Sequence, residues 1–399
     1  MSFNDLQKFD NTRGCDNIGK FDDIRPYYDR EIPAAMKRIA ESSSFPVLAS
    51  FVYPGRPLEE LKQMLLGFKK ISDFQLEVMK CVNEQVIARS ITEFSYNGIE
   101  NLLPNKQYLF VSNHRDIMLD SSLLQYILYK NGHRTSEITF GSNLMSSPLV
   151  IDIGKSNKMF RVERGGNMKD FYKNSMHLSE YIRYAIVEKG ESVWIAQRNG
   201  RTKDGNDATD QGIIKMFCMS KPYDKIEALA ELNIVPVSVS YEWEPCDILK
   251  TLELYESKYM KYIKKPGEDL NSILTGITQQ KGRVHFEICK PLDRGILQSM
   301  GNGVTGNDYN RAVAGYIDRE IISHYRLYPN NYIAHDIRYG SSEYGNCYSA
   351  DEKNLFIERM NGLLDYADCD TELLYDIFLG IYSNPVDAKR KIAKAIRNY

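Results

Sequence analysis

Apolar residues in the first quarter of the chain recur at helical spacing. Ile32, Ala35, Met36 and Ile39 share one stripe of the segment 27–40. Leu61, Leu65, Phe68, Leu76, Met79 and Val86 carry the same period through 58–90, so helices are predicted over both stretches. Between them, 45–54 is apolar and contains two prolines, Pro46 and Pro54. That segment predicts a core-packing loop, with a dip into a bilayer surface as the alternative.

From Tyr96 the period shortens. A turn at 96–99 leads to Tyr108-Leu-Phe-Val-Ser112, a short buried strand. Further apolar runs of strand length lie at 137–140, 192–196, 234–240 and 284–288, with helical patterns at 121–130, 169–189 and 212–232. Strands alternating with helices predict an α/β fold, a central, largely parallel sheet with helices on both faces. Beyond Asn307 the pattern returns to helices, and Asn384 and Pro385 are placed to open a last basic helix. The expected organisation is a helical N-terminal segment over 1–95, an α/β core over 96–300 and a helical C-terminal segment over 301–399.

Composition narrows the class without choosing within it. With 43% hydrophobic and 26% charged residues in 399, the chain is globular rather than disordered or fibrous. Lys and Arg total 51 against 53 Asp and Glu, a formal charge of −2, which argues against a dedicated nucleic-acid binder. The 7 cysteines form no Cys-x-x-Cys pair, so neither a disulfide framework nor a zinc ribbon is expected. No run approaches the ~20 apolar residues of a spanning helix. The first residues lack the basic and apolar blocks of a signal peptide. A cytoplasmic setting is expected, with any membrane contact peripheral.

Four windows carry candidate chemistry. In Val111-Ser-Asn-His-Arg-Asp-Ile-Met-Leu-Asp120, His114 lies between a strand and a helix, where open parallel sheets place reactive groups. An imidazole beside a carboxylate can be held in one tautomer and used as a base. Read alone, the window also fits Asn113 as a helix cap and His114 as an ordinary polar residue. A His-x-Asp metal pair is a weaker reading, because no further His or Cys stands nearby at ligand spacing. Gly141-Ser-Asn-Leu144 and Phe160-Arg-Val-Glu-Arg164 place Asn143 and Arg164 at strand ends beside glycines, suited to a phosphate or simply to a solvated edge. In Gln197-Arg-Asn-Gly-Arg-Thr-Lys-Asp-Gly205, cationic side chains and glycines make a candidate anion nest without the spacing of a P-loop. Asn233-Ile-Val-Pro-Val-Ser-Val-Ser-Tyr-Glu242 reads only as core.

The order of these windows resembles the glycerolipid acyltransferase superfamily, which includes glycerol-3-phosphate and 1-acylglycerol-3-phosphate acyltransferases, over 96–292. The resemblance implies that His114 takes the proton of an acceptor hydroxyl as that oxygen attacks an acyl thioester. It implies that Arg164, Gly200 and Arg201 hold the acceptor phosphate, with Asn143, Asn199 and Lys203 beside them. Val235 and Pro236 would line the acyl or acceptor pocket. Two positions depart from the family. Its aspartate five residues after the histidine is Leu119 here, so Asp120 is expected to orient His114, with Asp116 as the rival. Its glutamate before the third motif's glycine is Asn199. A catalytically degenerate lipid-binding or scaffold protein, or a thioester hydrolase, are the alternatives. The implied partners are an acyl donor, either acyl-CoA or an acyl carrier protein, and a phosphorylated glycerol acceptor, with a membrane surface as a further candidate. No nucleic acid, metal or other cofactor is expected.

Overall fold

The computed structural model describes residues 19–145, 147–163, 165–301, 303, 306–365 and 370–397. Three short helices open the described chain: α1 (Ile32–Glu41), α2 (Phe45–Val52) and α3 (Leu58–Leu66). The apolar segment from Phe45 is therefore a helix and not a loop. Pro46 lies in its first turn, where a missing N–H costs nothing, and Phe45, Ala49 and Val52 are buried. The single helix expected over 58–90 is broken. Gly67 closes α3 through its amide to the carbonyls of Gln63 and Met64, and Asp73 accepts from the amides of Lys69 and Lys70 to start again. The continuation runs as α4 (Ile71–Phe74), a π turn over Gln75–Met79, and α5 (Lys80–Ser90).

Among the described residues, seven strands make one sheet: β1 (Ile91–Asn97), β2 (Leu109–Ser112), β3 (Glu137–Gly141), β4 (Met159–Val162), β5 (Val193–Ala196), β6 (Ile234–Tyr241) and β7 (Gly282–Ile288). Their order is β1-β7-β6-β2-β5-β3-β4. Every pairing is parallel except β6 with β7. The edge strand β1 was not foreseen, since its residues are only partly buried and carry no clean alternation.

Helices cover both faces. Tyr108 and Phe110 pack with Leu123, Leu124 and Ile127 of α6 (Leu119–Lys130) in one cluster. Leu109 and Val111 point the other way, into a cluster holding Tyr181 of α8 (Met168–Arg183), Phe217 of α9 (Gln211–Met219) and residues further along the chain. Between β3 and β4 lies α7 (Pro148–Ser156). The helix expected over 212–232 is divided into α9 and α10 (Lys225–Ala230), because Pro222 breaks it and Asp224 caps the second piece through the Glu227 amide. Then come α11 (Asp247–Tyr259), α12 (Glu268–Thr278), α13 (Arg294–Gly301) and α14 (Gly306–His324). Val313 and Ile317 of α14 close the second cluster.

The C-terminal helices are α15 (Pro329–Tyr339), α16 (Ala350–Asn361) and α17 (Thr371–Arg397). Pro385 does not open the last helix as expected but lies inside α17. Asn384 does not cap it either; its amide donates to the Asp204 carbonyl at 2.6 Å and accepts from Arg338 at 2.9 Å. A proline has no N–H to give to the carbonyl four residues earlier, here that of Ile381. Gly205 (φ +79°) packs against this oxygen so closely that a Cβ on Gly205 would lie 2.2 Å from it.

Candidate active site

At the end of β2 the backbone leaves the sheet, and a side chain continues the ladder. Asn113 accepts from the Val239 amide at 2.8 Å and donates to the Val239 carbonyl at 2.9 Å. The main chain is thereby free to turn, and the next residue is His114. Its Nδ1 lies 2.9 Å from Oδ2 of Asp120, in the first turn of α6. The same oxygen accepts from the amides of Arg115 at 2.6 Å and Asp116 at 2.9 Å. Oδ1 accepts from the Tyr241 hydroxyl at 2.8 Å. Burial first, then the charges of Asp120 and Asp116, push the Tyr241 phenol well above its ordinary range, so it remains a donor. With Nδ1–H given to Asp120, Nε2 of His114 is left as the proton acceptor. The Trp194 ring meets the imidazole edge-on, 5.7 Å between centroids.

Between the two aspartates the geometry chooses Asp120. Asp116 turns to α6, where Oδ1 accepts from the amides of Met118 and Leu119, each at 2.8 Å. Its Oδ2 is buried with no hydrogen-bond partner among the described residues and faces Gly276 of α12, where a Cβ would come within 2.1 Å. Burial, then the neighbouring Asp120, raises the Asp116 pKa above the usual carboxylate range.

The glycine-rich loop after β5 folds onto this dyad. The Thr202 amide donates to the His114 carbonyl at 2.7 Å. Gly200 adopts φ +78°, a left-handed conformation that favours glycine. Arg201 has a buried guanidinium nitrogen, Nη1, without a hydrogen-bond partner among the described residues, and its charge acts on Asp116. His114 and Arg201, far apart in sequence, are thus brought to one place.

The remaining predicted residues sit differently. The Lys203 ammonium is ion-paired to Glu253 of α11. Val235 and Pro236 are buried interior residues of β6, paired with Phe110 and Val111. Asn143 is exposed and donates to Asp269 of α12 at 3.2 Å. Asn199 is exposed on the loop. Arg164 lies outside the described residues. A cleft of about 490 Å³, lined by Lys69, Arg134, Lys158, Glu137 and Glu191 among others, opens at the N-terminal ends of β3 to β5, away from the dyad.

Several supporting residues escaped the sequence reading. Asp207 accepts from Asn113, Arg115 and Thr202. Arg115 is fully buried and ion-paired to Asp207 at 2.6 Å and Glu244 at 3.2 Å. Burial alone would lower its pKa, but these two carboxylates hold it well above the ordinary value. Lys250 completes the cluster, bonding Glu244 at 2.5 Å and the Arg115 carbonyl at 2.7 Å. Arg115 and Tyr241 fell inside motif windows but gave no separate signal, and Glu244 and Lys250 lie outside any window.

Residues 93–240 match the family model described as Acyltransferase. This segment is an acyltransferase-family domain. It runs from β1 to the end of β6 and contains the His114–Asp120 dyad and the Arg201 loop, in agreement with the resemblance seen in the motifs. The chain is also similar to the crystal structure of the 1-acyl-sn-glycerophosphate (LPA) acyltransferase PlsC from Thermotoga maritima. That likeness has 14% identity and a TM-score of 0.37, over 73% of this chain and 91% of that one. No curated protein sequence matches the chain.

Proposed function

We propose that the acyltransferase domain moves a fatty acyl group from acyl-CoA or an acyl carrier protein to a hydroxyl of glycerol 3-phosphate or 1-acylglycerol 3-phosphate. The observation that carries this reading is the His114–Asp120 pair, 2.9 Å apart, with the Arg201 loop bonded to the His114 backbone. Asp120 fixes the tautomer, so Nε2 takes the acceptor's hydroxyl proton as that oxygen attacks the thioester carbonyl. The C–S bond then breaks, and the imidazolium returns its proton to the leaving thiolate. The unpartnered Arg201 nitrogen suits a phosphate oxygen, and clamping the phosphate orients the hydroxyl toward the thioester.

We further infer that the acceptor is met at a lipid surface. Tyr259, Met260 and Ile263 are exposed beside Lys258, Lys261 and Lys265, while Lys264 is paired with Asp269. Apolar side chains interleaved with lysines suit an anionic bilayer surface. The same stretch leads into α12, whose Gly276 abuts Asp116. Among the described residues no helix is long and apolar enough to cross a membrane.

Incubation of the purified protein with labelled acyl-CoA, and separately with labelled acyl carrier protein, with and without each acceptor, tests the chemistry. Acylated acceptor supports transfer. Free fatty acid in its place points to the hydrolase, and no turnover with either thioester donor points to the scaffold.

A further inference from the structure

Along β7 the side chains alternate between two environments. Val284, Phe286 and Ile288 belong to the apolar cluster under α6. His285, Glu287 and, just beyond the strand, Cys289 point to the opposite side, where the last turn of α14 presents Glu320 and His324 at i and i+4. The Cys289 Sγ lies 3.7 Å from Nδ1 of His324, which lies 4.0 Å from Oε2 of Glu320. One ligand atom from each of the three falls within 4.8 Å of the others. The Glu320 and Glu287 carboxylates both act on the thiol. Among the described residues, neither carboxylate has a Lys or Arg ion partner; each has only a histidine. Two acids, a buried thiol and an imidazole therefore converge, with no lysine or arginine at ion-pair distance from either acid among the described residues.

We propose that Cys289, Glu320 and His324 form a binding site for one divalent zinc-type ion, which pins the end of α14 to the end of β7. Thiolate, imidazole and carboxylate are the donors that a borderline-soft ion such as Zn²⁺ accepts in tetrahedral geometry. Bonds of about 2.0–2.3 Å place tetrahedral ligand atoms roughly 3.5 Å apart, so shifts of about an ångström close the site. Binding converts the thiol to a metal thiolate and releases its proton to solvent. Nδ1 of His324, which now donates to the Glu320 carbonyl at 2.8 Å, must ligate with the ring proton moved to Nε2. The Cys289 amide bonds the Pro236 carbonyl near the start of β6, at the other end of that strand from Tyr241 and the dyad. The ion is accordingly structural and takes no part in acyl transfer.

Titration of the metal-stripped full-length protein with Co²⁺, and separately with Zn²⁺, tests the assignment. One equivalent of Co²⁺ is expected to produce a thiolate-to-metal charge-transfer band. One equivalent of Zn²⁺ is expected to raise Tm. Both effects should vanish in Cys289→Ser and in His324→Ala; the latter residue is partly exposed, so its loss leaves folding intact. Absence of the band in the wild-type protein, or its persistence in either variant, overturns the site.

Discussion

Asp120 holds His114 with one oxygen while three further donors hold Asp120. Asp120→Asn is therefore expected to lower kcat on the order of 10²–10⁴-fold, since an amide can stabilise the wrong tautomer. Asp116→Asn keeps the oxygen that caps α6 and should change kcat by less than about tenfold; steady-state kinetics of the two variants decides between the carboxylates. Asp116 also makes a prediction about pH. Its pKa is raised in the folded state, so the native protein binds more protons than the unfolded chain above the ordinary carboxylate value. Its contribution to stability is full at lower pH and declines as pH rises through the folded pKa. Urea unfolding across pH 4–7 should show wild-type stability falling relative to Asp116→Asn. Arg201→Ala is expected mainly to raise the acceptor KM, because its charge contact forms before the transition state. His114 and Arg201 were legible as chemistry because their types are unusual at the ends of apolar runs. Tyr241 was not, because a tyrosine closing an apolar strand reads as core, and only the fold reveals what its hydroxyl meets.

The elements most plainly written in the sequence are the strands buried on both faces, β2, β5 and β6, whose apolar runs leave little ambiguity. Helix ends were less legible, because they are set by single residues: Gly67, Pro222 with Asp224, and Pro46 in a first turn rather than a loop. The passage of α17 through Pro385 was the least legible. A proline normally marks a helix start, and here the Ile381 carbonyl that Pro385 leaves without an N–H faces Gly205, a tertiary contact that no local pattern announces. Gly205→Ala places a Cβ against that backbone oxygen at a left-handed φ. It is expected to cost on the order of 3 kcal/mol or more by chemical denaturation. Because Gly205 follows the Arg201 loop, acceptor KM should rise in the same variant.

The whole molecule closes around the site from behind. Asp247 is buried and receives Arg359 of α16 at 2.6 Å and the Tyr382 hydroxyl of α17 at 2.6 Å, and Tyr382 packs in the C-terminal apolar cluster. The helical segment beyond residue 300 is thus bonded to the loop that carries Glu244, and through Glu244 to Arg115. On the outside, the surface around Ile263 is the proposed lipid contact. Vesicles containing anionic lipid should float the wild-type protein, whereas Ile263→Asp with Lys261→Glu should remain unbound while still acylating soluble acceptor; flotation unchanged in that variant argues against this surface. The central claim is the base itself. It is tested most directly by measuring the rate of acyl transfer from a labelled thioester to the phosphorylated acceptor for wild type and His114→Ala, both checked for native folding. A fall on the order of 10²–10⁴-fold is predicted, and undiminished turnover in His114→Ala would contradict it.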